Sequence, residues 1–133
     1  MKRKAPAKST VWAKCSEYNR RKDATADGYV ACCSCGLIKY YKEMDCGHFY
    51  PRSNGKALYW VPENLHAQCR SCNGYHKENG KIGYTKFMID TYGREFVDNL
   101  GIRARTIYRE RKSDLIYWND FYKEKLRELD FDR

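Results

Sequence analysis

Two short runs, Cys32-Cys33-Ser34-Cys35 and Cys69-Arg70-Ser71-Cys72, decide how this chain is read. Each contains two cysteines separated by two residues, a tight knuckle whose thiolates point at one ion. Two such knuckles complete a tetrahedral four-sulfur site. Zn2+ suits that site because it is soft enough for thiolate and inert to redox. The competing reading is a set of incidental buried thiols, and the paired spacing argues against it. Cys33 competes with Cys32 for the first position, and the two-residue spacing favours Cys32. Cys15 and Cys46 read as small core residues. Seven cysteines is an odd number, and no apolar leader follows the basic start Met1-Lys2-Arg3-Lys4. A reducing compartment is therefore expected rather than a disulfide framework.

The interval between the knuckles has to contain a hairpin or loop. Asp45-Cys46-Gly47-His48-Phe49-Tyr50 reads as a short β segment and Ala57-Leu58-Tyr59-Trp60-Val61 as a second strand, with Asn54-Gly55 as the turn signal between them. A helix is predicted from Cys72 or Asn73, interrupted by Gly80 and Gly83. Upstream, residues 1–8 form a basic tail. Ser9 or Thr10 then caps a helix carrying Val11, Trp12, Cys15, Tyr18 and Lys22. Asp27-Gly28 marks a turn into a short strand, Tyr29-Val30-Ala31, and residues 37–44 read as strand or hairpin. Downstream, Tyr84, Phe87, Met88 and Tyr92 line one helix, and Phe96, Val97 and Leu100 another. A basic connector covers 103–112, and Ser113 caps a last helix with Leu115, Trp118, Phe121, Tyr122, Leu126 and Leu129 on its apolar side. The expectation is one α+β domain over 1–133: tail and helix in 1–28, a metal-pinned core in 29–80, and helices in 81–133.

Composition narrows the partners. The 133 residues suit one compact domain, and 42% hydrophobic with 32% charged residues suits a modest core. No apolar stretch approaches the ~18–20 residues of a membrane span. Lys and Arg number 26 against 17 Asp and Glu, a net charge of +9 with a pI near 9.2. That excess points to a polyanion, most often nucleic acid, and twelve tyrosines suit stacking on unpaired bases. The plainer reading is a solvated basic surface with tyrosines at core edges.

Asp45, His48, Asn64, His66, Asn73 and His76 lie between or just after the knuckles. A zinc ion would gather these separate segments by fixing both ends of the intervening hairpin. Zinc saturated by four thiolates has no open position, so catalysis would need a second ion held by oxygen and imidazole. Taken singly, each residue has a plainer role, such as a surface histidine, a turn asparagine or a solvated acid.

In order, Cys32-x-Ser34-Cys35-Gly36, Asp45-Cys46-Gly47-His48-Phe49, Asn64-Leu65-His66-Ala67-Gln68-Cys69-Arg70-Ser71-Cys72-Asn73 and Tyr92-Gly93-x-Glu95-x-Val97 resemble the NinG (Rap) recombination-nuclease family of lambdoid phages. More broadly they are similar to the His-Asn-His (HNH), or ββα-metal, endonucleases, and the likeness covers about residues 30–100. It implies a zinc-stabilised, treble-clef-like ββα-metal core and phosphodiester hydrolysis of branched recombination intermediates such as Holliday junctions or D-loops. His48 would be the general base, and Asn64 would orient it through its side-chain amide. Asn73, with Asp45 and His76, would hold catalytic Mg2+ or Mn2+. The sequence departs from the broad pattern at Gly47, where a metal ligand usually precedes the base. Asp45 is the substitute carboxylate, and His76 lies one turn beyond Asn73 if one helix carries both. His66 is assigned structural or hydrogen-bonding support.

Arg52, Ser53 and Lys56 after the base, Arg70 in the second knuckle, and Lys77 would touch phosphates. Arg20, Arg21, Arg103, Arg105, Arg109 and Arg111 would extend that surface. A homodimer would suit symmetric cutting of a junction, other recombination proteins would be partners, and the place of action would be the cytoplasm of an infected bacterium. Two further readings stand beside the nuclease: a non-catalytic zinc module that binds DNA as a recombination accessory, and a zinc-stabilised protein adaptor.

Overall fold

The computed structural model describes residues 3–52 and 56–132. Ser53, with its expected phosphate contact, and the Asn54-Gly55 turn lie outside the described residues. The architecture is α+β, with two two-stranded antiparallel sheets and five helices in the described chain. No helix among the described residues is long and apolar enough to cross a membrane.

Helix α1 (Lys8–Arg21) buries Val11, Cys15 and Asn19, a spacing of four that puts one stripe against the core. It starts at Lys8 with Ala7 in the cap position, so neither Ser9 nor Thr10 caps it. Strands β1 (Tyr29–Ala31) and β2 (Ile38–Tyr40) pair with Tyr29 opposite Tyr40. The first knuckle is the loop between them, closed by Cys32 N–H to Leu37 O (2.8 Å) and Gly36 N–H to Cys32 O (2.9 Å).

The central pair is β3 (Asp45–His48) with β4 (Leu65–Gln68), in a register that sets Asp45 opposite Gln68 and His48 opposite Leu65. The strand predicted over 57–61 is absent. Residues Lys56–Leu58 form a 3-10 turn, and a second 3-10 turn, Pro62–Asn64, leads into β4. The apolar run there serves two cores instead: Leu58 and Val61 enter one cluster while Trp60 enters a second. The actual partner strand escapes a periodicity reading because all four residues of β4 are buried.

One face of the β3–β4 pair, with Cys46 and Leu65, packs with Val11 and Cys15 of α1. The other lies under α3 (Lys77–Tyr92), whose Tyr84 and Met88 join Val97 and Leu100 of α4 (Arg94–Ala104) in a separate core. Gly80 and Gly83 sit inside α3 and do not interrupt it. A Cβ at Gly80 would fall 2.2 Å from the Cys72 carbonyl oxygen, and one at Gly83 2.0 Å from that of Ser34. These glycines let the helix backbone lie directly on both knuckles, an approach that outweighs their roughly 1 kcal/mol helix penalty.

Between β4 and α3 lies the short α2 (Arg70–Asn73), with Cys69 in its cap position and Gly74 at its end. Helix α5 (Lys112–Phe131) runs along α1 and supplies Tyr122 to the α1 core. Its first turn is closed by the Asp114 carboxylate, which accepts the Arg111 backbone N–H at 2.8 Å, so Ser113 is not the cap. The Tyr122 hydroxyl donates to the Trp60 carbonyl and receives the Asn19 amide at 3.2 Å, linking α5, α1 and the 56–61 segment.

Candidate active site beside a four-cysteine metal centre

The Cys33 N–H donates to Ala67 O at 3.0 Å, which lays the first knuckle against β4, and the second knuckle begins at the end of that strand. The sulfurs of Cys32, Cys35, Cys69 and Cys72 therefore lie within 4.8 Å of one another, and Cys35 Sγ is 3.8 Å from Cys69 Sγ. A tetrahedron with Zn–S of about 2.3 Å requires sulfurs about 3.8 Å apart, so the four cysteines can hold a structural metal such as zinc. Burial opposes ionisation of Cys32. The amides of Cys69, Cys35 and Ser34 around its sulfur outweigh burial and hold the thiol below its ordinary value. Cys33 stands outside the group, buried with Leu58 and Tyr84, and burial drives its thiol well up. Cys15 is likewise a core residue, with burial raising its thiol to about 12, and Cys46 follows it.

His48 ends β3, with its Nε2 3.1 Å from the Tyr59 carbonyl oxygen. A carbonyl only accepts, so Nε2 carries the proton and the neutral ring keeps its lone pair on Nδ1. Trp12 of α1 stacks on the ring at 5.4 Å and 10°, and Tyr59 lies against it at 4.9 Å. Burial lowers the imidazole's pKa from 6.5. The Tyr59 carbonyl opposes that shift, and the nearby charge of Arg52 adds to it. His48 is thus held neutral and in one orientation, as a base requires.

A cleft of about 750 Å3 opens beside it, lined among others by His48, Arg52, Gln68, Asn73, Lys77 and Lys81. His48 and Asn73, distant in sequence, share this cleft. Asn73 Nδ2 donates to Asp45 Oδ2 at 3.1 Å, and Arg70 Nε lies 3.6 Å from Asp45 Oδ1. Asp45 does not line the cleft, and its carboxylate as found supports the Asn73 amide and pairs with Arg70.

Two expectations need correction. Asn64 does not touch the imidazole: its Oδ1 accepts the Tyr50 N–H at 2.9 Å and its Nδ2 donates to Tyr50 O at 3.0 Å. It pins the backbone at Tyr50, two residues beyond His48. His76 does not share a helix face with Asn73, because α2 ends at Gly74 and His76 is the exposed cap residue of α3. His76 is also absent from the cleft lining.

His66 is sealed at 2% exposure. Its Nδ1 is 2.9 Å from the Tyr84 hydroxyl and its Nε2 2.8 Å from that of Tyr92, while Tyr84 donates to Gly47 O at 2.8 Å. Tyr84 has one proton and gives it to Gly47, so it accepts from Nδ1–H, and Nε2 accepts from Tyr92. Burial, with a contribution from Lys22, lowers this imidazole to about 2. Its role is support, as expected.

Arg52, Lys56, Arg70 and Lys77 are exposed, as are Arg103, Arg105, Arg109 and Arg111. Arg20 and Arg21 have structural work instead. Arg20 reaches Ser16 and the Tyr41 carbonyl, and Arg21 pairs with Glu17 and Asp130. Sequence reasoning missed Lys81, whose ammonium sits 3.7 Å from the Phe49 ring centroid and donates to the Phe49 carbonyl beside His48. Burial lowers it to about 8. Its spacing of four from Lys77 on one helix was the available signal. Trp12 and Gln68 were missed as well, and nothing local marks either.

The family model described as "Bacteriophage Lambda NinG protein" matches residues 2–132. The curated protein ninG of Escherichia phage 933W is 31% identical over 74 residues, covering 56% of this chain and 36% of that protein. Protein ninG of Escherichia phage lambda is 31% identical over the same length, covering 56% of this chain and 35% of its own. The match thus spans little more than a third of those relatives. No solved structure matches.

Proposed function

The chain belongs to the bacteriophage lambda NinG family, and from that premise we propose that it is a metal-dependent HNH-type endonuclease that hydrolyses branched recombination DNA in the bacterial cytoplasm. The observation that carries this reading is one cleft in which His48, held neutral against the Tyr59 carbonyl, faces Asn73 and the cations Arg52, Lys77 and Lys81. The order β3, long connection, β4, α2 beside the four-cysteine group supports that reading. In the proposed reaction His48 Nδ1 takes a proton from water as the water oxygen bonds to phosphorus and the bond from phosphorus to the leaving sugar oxygen breaks. Arg52, Lys77 and Lys81 hold the flanking phosphates, and Asn64 keeps the strand after His48 in place. Mg2+ or Mn2+, when bound, supplies Lewis-acid polarisation of the scissile phosphate.

The second reading, a non-catalytic zinc module that binds DNA, is favoured by one observation. Among the described residues, the four cysteines are the one group of three or more His, Cys, Asp or Glu gathered tightly enough to hold a metal. The deciding experiment incubates zinc-loaded protein with linear duplex, single strand, fork and four-way junction in Mg2+, Mn2+ or EDTA. Cutting that disappears in EDTA and in His48→Ala, with DNA binding and zinc content retained, supports the nuclease. Junction binding without cutting in every metal supports the module.

A further inference from the structure

The cationic side chains that line the cleft beside His48 are Arg52, Lys77 and Lys81, and no carboxylate is among its lining residues. That lining suits a phosphate and not a free divalent ion, so no step at the leaving oxygen is assigned to a metal. All three cations reach solvent, yet Lys81 has its charged end fixed. The ammonium donates to the Phe49 carbonyl and lies 3.7 Å from the Phe49 ring centroid and 5.2 Å from that of Tyr50. No acidic side chain pairs with it among the described residues. Gly80 and Gly83, on either side of it, bring α3 onto the Cys72 and Ser34 carbonyls, so position 81 is set by contact with both knuckles.

Desolvation of that end lowers the amine to about 8, so it gives up a proton more readily than an ordinary lysine and still carries one at neutral pH. His48 is lowered too and stands neutral there. A neutral base and a readily deprotonated acid in one cleft are the pairing that acid–base catalysis needs. They also arrive from opposite faces of the β3–β4 pair, His48 under Trp12 of α1 and Lys81 from α3. An in-line displacement has its entering and leaving oxygens on opposite sides of phosphorus. The other titratable groups of the lining are committed or unsuited. Tyr84 gives its proton to Gly47 O, Cys72 belongs to the sulfur group, Cys46 is a core thiol, and Tyr59 lies against the base. Arg52 does not deprotonate, and nothing among the described residues fixes the Lys77 ammonium.

Building on the nuclease reading, we infer that Lys81 is the catalytic acid of this site: its Nζ–H protonates the leaving sugar oxygen as the bond from that oxygen to phosphorus breaks, while His48 Nδ1 takes the proton of the attacking water. The step leaves an imidazolium and a free amine, and exchange with solvent restores both. Lys81 thus acts on the scissile phosphate, beyond steadying its neighbours.

The test gives the full zinc-loaded chain two four-way junctions, one ordinary and one in which sulfur replaces the leaving oxygen at the mapped cut. A thiolate departs without a proton. Lys81→Arg keeps the charge and removes the ready proton, so it is expected to bind the ordinary junction as before and cut it about a hundredfold or more slowly. On the sulfur junction its rate is expected to match that of the unmodified protein. The unmodified protein gives a second readout. Its cutting of the ordinary junction falls as pH rises through about 8, because the acid is lost, and on the sulfur junction that fall disappears. An equal loss for Lys81→Arg on both junctions overturns the inference and leaves the nuclease standing, as does an alkaline fall that persists with sulfur. A sulfur junction that the unmodified protein cuts poorly in Mg2+ and well in Mn2+ also overturns it, since a metal then serves the leaving atom. If Lys81→Arg loses zinc or unfolds, the two pH profiles of the unmodified protein decide alone. No cutting of either junction in any metal sinks both the inference and the nuclease reading.

Discussion

His48 and His66 are near neighbours across the β3–β4 pair, on opposite faces, and the two faces treat the same side chain differently. On the α3 side both nitrogens of His66 are occupied by tyrosine hydroxyls and the ring is closed off. On the α1 side His48 has one nitrogen on a carbonyl, an indole over its face, and the other nitrogen free of a hydrogen bond among the described residues. Identical imidazoles become a structural peg and a candidate base because of what surrounds them. A histidine can serve chemistry only if the fold leaves one nitrogen unspent.

Removing the shared support should erase the contrast. Cys69→Ser takes one sulfur from the centre on which both knuckles and α3 rest. It is expected to abolish zinc binding and cost more than about 5 kcal/mol, as metal analysis and near-ultraviolet circular dichroism would show. The next largest effect separates the faces. His48→Ala should lower junction cutting about a thousandfold, and its urea midpoint should move little. His66→Leu should do the reverse: a loss of about 2–4 kcal/mol in urea melts, with cutting per folded molecule largely retained.

Acid gives the smallest and most selective effect. Because folding lowers His66 from 6.5 to about 2, its stabilisation is complete above pH 6.5 and declines as pH falls, where the unfolded chain binds a proton that the folded one refuses. Between pH 7 and pH 5 this amounts to about 2 kcal/mol. The difference between urea melts at those two values should shrink by that amount in His66→Leu.

Much of this arrangement is legible in the sequence where the determinant is local. The C-x-x-C spacing identifies the four sulfurs because a knuckle is built from four consecutive residues. Asp45 to His48 reads as a strand, and the Tyr84, Met88 and Tyr92 stripe as a helix, because their periods are intact. Long-range contacts defeat the same method. Gly80 and Gly83 look like breaks because a helix lying on the Cys72 and Ser34 carbonyls leaves no trace near them in sequence. Trp60 mimics a strand residue because Leu58 and Val61, close to it in sequence, face another core. Gln68 reads as filler until Gly47 is seen beneath it, and Asn64 reads as a partner of His48 although it grips Tyr50.

The stack of Trp12 on His48 gives the protein an optical consequence. An imidazolium quenches the emission of an indole in face-to-face contact, whereas a neutral ring leaves most of it. No ring contact joins Trp60 or Trp118 to an imidazole among the described residues. The pH dependence of the Trp12 emission near neutrality therefore follows the charge on His48, so the protonation of this one side chain can be watched without a label.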